Sequence, residues 1–239
     1  ETAFWTPIGR PLDAGVDASK NPPFWTDATK IREEPEQMTW EPKRFKRLGR
    51  KFFLQSPAVV AHELIGHGLV RRIDDKWVGG VIVETEAYLS TDDPASHSRS
   101  GLTRRCRSMF EIGGTLYVYT IHAKYCMHVA TETKGLGSAV LIRAIEPVWG
   151  VEMMIQNRGY GDPRRLARGP AMLCQSLAIT TVDDGIDLIS AERFSLFRIP
   201  SMPRSIGAGP RIGISSGRAK PLRFYERGNH FVSGPASRH

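Results

Sequence analysis

Apolar positions first become regular along the chain at Ser56-Pro57. Ser favours the position before a helix and Pro its first residue, so the spacing predicts a helix over 56–65, stopped by Gly66. Residues 67–73 read as a strand, Asp74-Asp75-Lys76 as a turn, and 77–88 as a second, longer strand. Residues 89–114 are rich in Ser, Asp, Gly and Arg and read as one long loop, a length that in compact domains often carries function. Two β-rich runs, 115–121 and 125–131, flank His122-Ala123-Lys124 and predict a hairpin. A further strand over 139–145 ends at Glu146-Pro147. Helical spacing follows over 148–157 (Val148, Val151, Met154, Ile155), and Gly169-Pro170 opens another helix over 171–178. Residues 212–214 and 222–225 read as late short strands. With no internal repeat, these elements make one α+β domain over 56–239.

Residues 1–55 break this pattern. They are rich in proline, carry Trp5, Trp25 and Trp40, and end in the basic run Lys43-Arg44-Phe45-Lys46-Arg47, with Arg50-Lys51 close behind. The aromatics argue against a disordered tail. An irregular arm draped over the main domain is expected, its basic run a solvated surface or, alternatively, a phosphate contact.

Charge changes the picture. Lys and Arg number 33 against 25 Asp and Glu, a net charge of +8, and the pI is near 9.6. That balance suits a polyanionic partner, although an ordinary basic enzyme has it too. The apolar stretches are short, as in Ala139–Ile142, whereas a membrane-crossing helix needs about 20 residues. No signal-peptide pattern stands at the start. Cys106, Cys126 and Cys174 are odd in number and form no C-x-x-C pair, so no disulfide framework or zinc ribbon is expected, and a reducing intracellular compartment is.

Some motifs fail on spacing. His62-Glu63-Leu64-Ile65-Gly66-His67 suggests a zinc-protease helix, but its two histidines are five residues apart, roughly 140° around a helix rather than on one face. No glycine-rich nucleotide loop is present. Strand 81–88 is more informative. Alternation puts Val81, Val83, Thr85 and Ala87 on one face and Ile82, Glu84, Glu86 and Tyr88 on the other. Two carboxylates and a Tyr beside a long polar loop make a catalytic wall or an ordinary solvent face. Tyr117 and Tyr119 share a face of the next strand, His97 stands in the loop between, and Arg143 interrupts an apolar strand and calls for an acid partner. Together these residues outline an aromatic slot with one acid–base centre, the kind of pocket that holds a flat, cationic ring.

At these residues the sequence resembles the alkyladenine (3-methyladenine) DNA glycosylase family. The matching blocks are Val83-Glu84-Thr85-Glu86-Ala87-Tyr88, Asp93-Pro94-Ala95-Ser96-His97-Ser98, Met109-Phe110 and Gly114-Thr115-Leu116-Tyr117-Val118-Tyr119. They continue with Leu141-Ile142-Arg143-Ala144-Ile145-Glu146-Pro147, with Gly169-Pro170-Ala171-Met172-Leu173-Cys174-Gln175-Ser176-Leu177-Ala178-Ile179 and with Lys220-Pro221-Leu222-Arg223-Phe224-Tyr225. The resemblance implies a single-domain α+β fold, a curved antiparallel sheet with surrounding helices. It implies a monomeric enzyme, without metal or other cofactor, that flips damaged purines from double-stranded DNA and hydrolyses their N-glycosidic bond. Glu86 matches the family's general base and Arg143 the Arg that holds the attacking water. Tyr88, His97 and Tyr119 match the side chains that sandwich the flipped base, and Ile214 falls near a backbone contact to the water. His122, Lys124, Arg104 and Arg105 are expected to face DNA.

The chain departs from the family pattern at three places. His122 stands where the family has a Tyr that fills the vacated stack. The hairpin is one residue shorter, making His128 the nearest match to a pocket Asn that helps reject guanine. Cys106 replaces an Asn. A DNA-binding protein of this fold without turnover is the alternative. A metallohydrolase on His62 and His67 is disfavoured by spacing, and a lyase by the lack of a Lys in the matched pocket.

Overall fold

The computed structural model describes residues 45–200 and 204–234; of the expected arm over 1–55, residues 1–44, with Trp5, Trp25 and Trp40, lie outside the described residues. Two helices, α1 (Arg50–Phe53) and α2 (Pro57–Leu64), precede strands β1 (Gly68–Ile73), β2 (Lys76–Tyr88), β3 (Leu116–Ile121), β4 (Lys124–Ala130) and β5 (Ala139–Trp149). Helices α3 (Val151–Arg158) and α4 (Pro170–Ser176) follow, then β6 (Phe194–Phe197), β7 (Ile206–Gly209) and β8 (Arg223–Glu226). All pairings are antiparallel. The order along the sheet is β3-β4-β5-β2-β1-β6, with β8 joined to both β2 and β7. On its edge away from β5, β2 pairs with β1 through Val81 and with β8 from Glu84. The sheet forks there and curls. No helix among the described residues is long and apolar enough to cross a membrane.

The core follows from which faces are apolar. Pro57 starts α2 with no N–H to leave unsatisfied, and the helix buries Val60, Ala61 and Leu64 against the sheet. Opposite them stand Ile82, Ala87, Ile142 and Ile145, joined by Leu173, Cys174 and Leu177 of and beside α4. Each Val, Leu or Ile among them contributes about 1.5–3 kcal/mol by leaving water. The Thr85 hydroxyl donates to the Ala61 carbonyl oxygen at 2.7 Å and pins α2 to β2.

Simple alternation fails at the middle of β2. Ile82 pairs with Ile145, Glu84 with Ala144 and Thr85 with Ile142, so Val83 and Arg143 both fall outside the pairing. This double irregularity changes the parity of both strands. Ile82 joins the core instead of sharing a face with the carboxylates, and Val83 packs on the other side with Ala144, Tyr225 and Val232.

Other elements differ from expectation for local reasons. Strand β5 runs through Pro147 to Trp149, and Pro147 is tolerated where the register slips beside Gly80. The following helix therefore begins only after Gly150, whose φ of 63° breaks the chain direction. Residues 212–214 form no strand: Gly213 has a φ of 79°. The 89–114 loop contains two 3-10 segments, His97–Ser100 and Arg104–Phe110. Strands β6 and β7 and helix α1 were not apparent from periodicity. Within the basic run, Arg47 donates to the carbonyl oxygens of Leu188, Ala191 and Phe194, and Arg50 pairs with Asp187 at 2.7 Å, so both guanidiniums are engaged by the protein although Arg47 is exposed and Arg50 half-buried.

Ile121 pairs with Lys124, so the hairpin turns through only His122 and Ala123, and Lys124 belongs to the strand. Both turn residues have positive φ, 46° and 58°. A left-handed conformation costs an L-residue roughly 1–2 kcal/mol, and Gly escapes that cost. Ala123→Gly should therefore raise unfolding free energy by about 1 kcal/mol, read as a higher urea midpoint at unchanged slope. A lower midpoint would show that the turn is not strained as described.

Candidate active site

The parity change brings charge together under the sheet. Glu84 and Glu86 are both fully buried, which excludes the solvent-face reading of this strand. Glu84 is saturated: Oε1 accepts from Arg143 Nε at 3.2 Å and Arg223 Nε at 2.5 Å, and Oε2 from the Ser233 N–H at 2.8 Å. Glu86 Oε1 accepts from the Ile212 N–H at 2.7 Å and lies 3.2 Å from Arg143 Nη1, while Oε2 accepts from the Tyr88 hydroxyl at 2.9 Å. Two carboxylates and two guanidiniums thus balance in one buried cluster, the arrangement burial of charge requires.

Their titrations follow from this setting. Burial raises the proton affinity of Glu86 above the usual carboxylate range, against the opposing pull of Arg143 and the Ile212 N–H. For Arg143, burial works toward losing the proton, but Glu86 and Glu84 outweigh it and hold the guanidinium charged. Burial and the nearby Glu86 carboxylate push the Tyr88 phenol far up, so it stays a hydrogen-bond donor.

Beside this cluster opens a cavity of about 420 Å³. Tyr88, His97, Tyr119, His128, Arg143 and Ile214 all line it. Its aromatic wall is continuous: His97 meets Tyr119 edge-on at 4.5 Å, and His128 lies 5.2–5.8 Å from the rings of Tyr119, Tyr117 and Tyr88. His97 Nδ1 is 2.8 Å from the Tyr117 hydroxyl. Burial lowers the proton affinity of both histidines, that of His128 to about 3, so both are neutral imidazoles at pH 7. His128 Nδ1 is buried without a hydrogen-bond partner. Glu86 lies behind the wall. Arg143 and Ile212 line the cavity and touch Glu86, connecting the two.

A second buried ion pair supports the wall. Arg211 grips Asp93 with two hydrogen bonds of 2.6 Å, both side chains fully buried. The same guanidinium donates to the Ala87 carbonyl oxygen at 2.9 Å and lies over the Tyr88 ring at 4.7 Å. Asp93 in turn accepts from the Leu89 and Ala95 N–H groups. The pair ties the loop after β2 to the loop bearing Ile212, and so holds the one loop-borne partner of Glu86 in place beside the Tyr88 ring.

The structure places the remaining sequence-selected residues around this centre. Ile214 is on the cavity wall, but the backbone group at Glu86 belongs to Ile212, two residues earlier. Arg104 and Arg105 are both exposed, and Arg105 lies over the Tyr119 ring at 5.2 Å. His122 and Lys124 are exposed at the hairpin end. Cys106 is buried, and its sulfur accepts from the Thr103 N–H at 3.4 Å, capping the 3-10 segment. All three cysteines are free thiols. His62 packs on Phe224 and His67 on Phe52, in separate surroundings. Sequence reading gave no role to Asp93, Arg211 or Ile212; Asp93 stood only at the head of a matching block, and Ile212 only in an expected strand.

The sequence profile of the methylpurine-DNA glycosylase family matches residues 51–230. A protein of Rhodopirellula baltica, provisionally named a 3-methyladenine DNA glycosylase, is 51% identical over 198 residues, covering 80% of this chain and 85% of its own. Similarly named proteins of Mesorhizobium japonicum and Herpetosiphon aurantiacus are each 45% identical, over 75% and 79% of this chain and 86% and 89% of theirs. The matched span holds every strand of the sheet and both buried ion clusters, apart from their last contact at Ser233, and by that measure the chain belongs to the methylpurine-DNA glycosylase family.

Proposed function

We propose that this protein is a monofunctional purine DNA glycosylase, acting as a monomer on duplex DNA, in which Glu86 activates water. The family supplies the coarse reaction, hydrolysis of an N-glycosyl bond in DNA. The observation that carries the finer reading is a carboxylate, Glu86, whose partners Arg143 and Ile212 are also walls of an aromatic cavity. Glu84 is set apart from the role because two guanidiniums hold it, and of its partners Arg143, Arg223 and Ser233 only Arg143 reaches the cavity wall.

In this mechanism a damaged purine nucleotide leaves the stack and its base enters the cavity, flanked by Tyr88, His97 and Tyr119. Alkylation at N3 or N7 gives the purine a positive charge, which aromatic faces favour by about 0.5–2 kcal/mol. Neutral His97 and His128 add no repelling charge. The bond from C1′ to the base nitrogen breaks, its electron pair leaving with the purine, as a water oxygen bonds to C1′ and yields a proton to Glu86. The carboxylate also offsets positive charge developing on the sugar. Arg143 keeps Glu86 in place and favours its ionised form. No Lys lines the cavity among the described residues, which supports hydrolysis rather than a Schiff-base lyase step. His122, at the exposed turn, fills the space the flipped nucleotide leaves.

Three outcomes are expected. Glu86→Gln should lower base release about 10²–10⁴-fold while retaining binding to abasic duplex, whereas Glu84→Gln should chiefly destabilise the fold, since it leaves Arg143 and Arg223 poorly paired. Near-normal excision by Glu86→Gln, measured as abasic sites in duplexes with single defined lesions, would refute the assignment. Because the base must be ionised and burial raises its proton affinity, excision should fall with acidification through a midpoint above the ordinary 4.5. His128, titrating near 3, should add no inflection around pH 6–7. A single-turnover pH profile with its acid limb at or below 4.5 would contradict this. Finally, His128→Asn should alter the ratio of guanine-type to adenine-type excision, since it changes the hydrogen-bonding groups at the cavity wall; an unchanged ratio across 7-methylguanine, 3-methyladenine and hypoxanthine would remove His128 from base selection.

A further inference from the structure

A second cavity, of about 620 Å³, lies on the other flank of the β3–β4 hairpin. Tyr119 and Ile121 of β3 line the first cavity; Ala123, Lys124 and Tyr125 of the turn and β4 line the second. Adjacent strands are only about 5 Å apart, so the two openings are divided by little more than the hairpin that carries His122. The second cavity has a cationic rim of Lys124, Arg158 and Arg165 and an apolar floor that includes Ala171 and Met172, and no carboxylate lines it among the described residues.

The rim cations are held ready but not neutralised. Arg158 donates through Nη1 to the Gln175 side-chain oxygen, and its Nε is buried without a partner. Arg165 donates to the Tyr160 hydroxyl at 2.9 Å and lies over that ring at 5.1 Å. None of the three forms a salt bridge among the described residues. Neutral partners position the guanidiniums while leaving their charge uncompensated, as an anion-binding rim requires. An apolar floor beneath such a rim suits the sugar of the same nucleotide.

We propose that this cavity is a second nucleotide site, which takes a backbone phosphodiester of the DNA on the flank of the hairpin away from the damaged base. The inference rests on the glycosylase reading for its ligand and extends it to Arg158 and Arg165. Held on both sides, a duplex would be fixed around the inserted turn, so that the hairpin does not slip along the groove when the stack opens.

The test uses the full chain and a labelled duplex carrying a stable abasic-site analogue. Affinity is measured against salt for the wild type and for the variant combining Lys124→Ala, Arg158→Gln and Arg165→Gln. The slope of log affinity on log salt should become shallower by about 1 for each cation that reaches a phosphate. Single methylphosphonates, which remove one phosphate charge each, are then walked along both strands. At one or two positions the wild type should lose affinity and the variant should not. An unchanged slope overturns the proposal. So does a shallower slope with the same positional profile, because that describes a diffuse field rather than a site. Where the triple variant does not fold, Lys124→Glu and Arg165→Glu singly, both at exposed residues, answer the same question. Wild-type base release from lesion duplexes, run in parallel, separates the two readings: binding with a positional profile but no excision removes the catalytic assignment alone, and excision without the profile removes this site alone.

Discussion

Two carboxylates buried side by side on β2 set the terms for much of the surrounding structure. Glu84 and Glu86 are wholly out of water, and an unpaired buried charge costs several kcal/mol. Arg143 reaches both, Arg223 holds Glu84, and backbone N–H groups from two distant segments, Ile212 and Ser233, complete the set. The segment after β8 thus closes over the sheet, with Val232 packing on Val83 and Ala144. The irregular register at Val83 and Arg143 is part of the same solution, since it lets charged side chains share a face that would otherwise alternate with the core.

In the proposed mechanism the two acids diverge in role through their surroundings. Glu84 is held by two guanidiniums and a backbone N–H, and in that mechanism is the structural anion. Glu86 has one guanidinium, one backbone N–H and one phenol, and burial leaves it with a raised proton affinity. Such unequal neighbours separate the duties of like groups. The Asp93–Arg211 pair extends the arrangement outward, because Arg211 adjoins Ile212 in the chain and covers the Tyr88 ring. Catalytic geometry in the proposed mechanism therefore depends on loops held by buried ion pairs rather than on the sheet alone.

The predicted fold class, helix α2, strands β1 to β5 and β8, the hairpin and helix α4 were legible because each follows from a local period or a capping residue. Strand β7, Ile-Gly-Ala-Gly, carries almost no side-chain pattern, and β6 is four residues in a turn-rich stretch; both are strands because neighbours pair with them. Glu86 and Arg143 stood out as charges in apolar runs. Ile82 was assigned to the wrong face because a bulge is invisible to alternation. Ile212, Arg211 and Asp93 act through loop contacts 118 to 126 residues apart in sequence, and no spacing rule reports those. The second cavity draws on the turn, α3, α4 and their connection, which meet only in the folded chain.

The proposed mechanism requires Glu86 to be a sheltered carboxylate that still exchanges its proton. Its ionisation is directly measurable by carboxyl carbon chemical shifts of the protein labelled at glutamate, with Glu86→Gln assigning the resonance. A titration midpoint clearly above 4.5 is the predicted result. A midpoint at or below 4.5 would show that Arg143 and the Ile212 N–H dominate over burial, and would contradict the assignment of Glu86 as a base poised by burial.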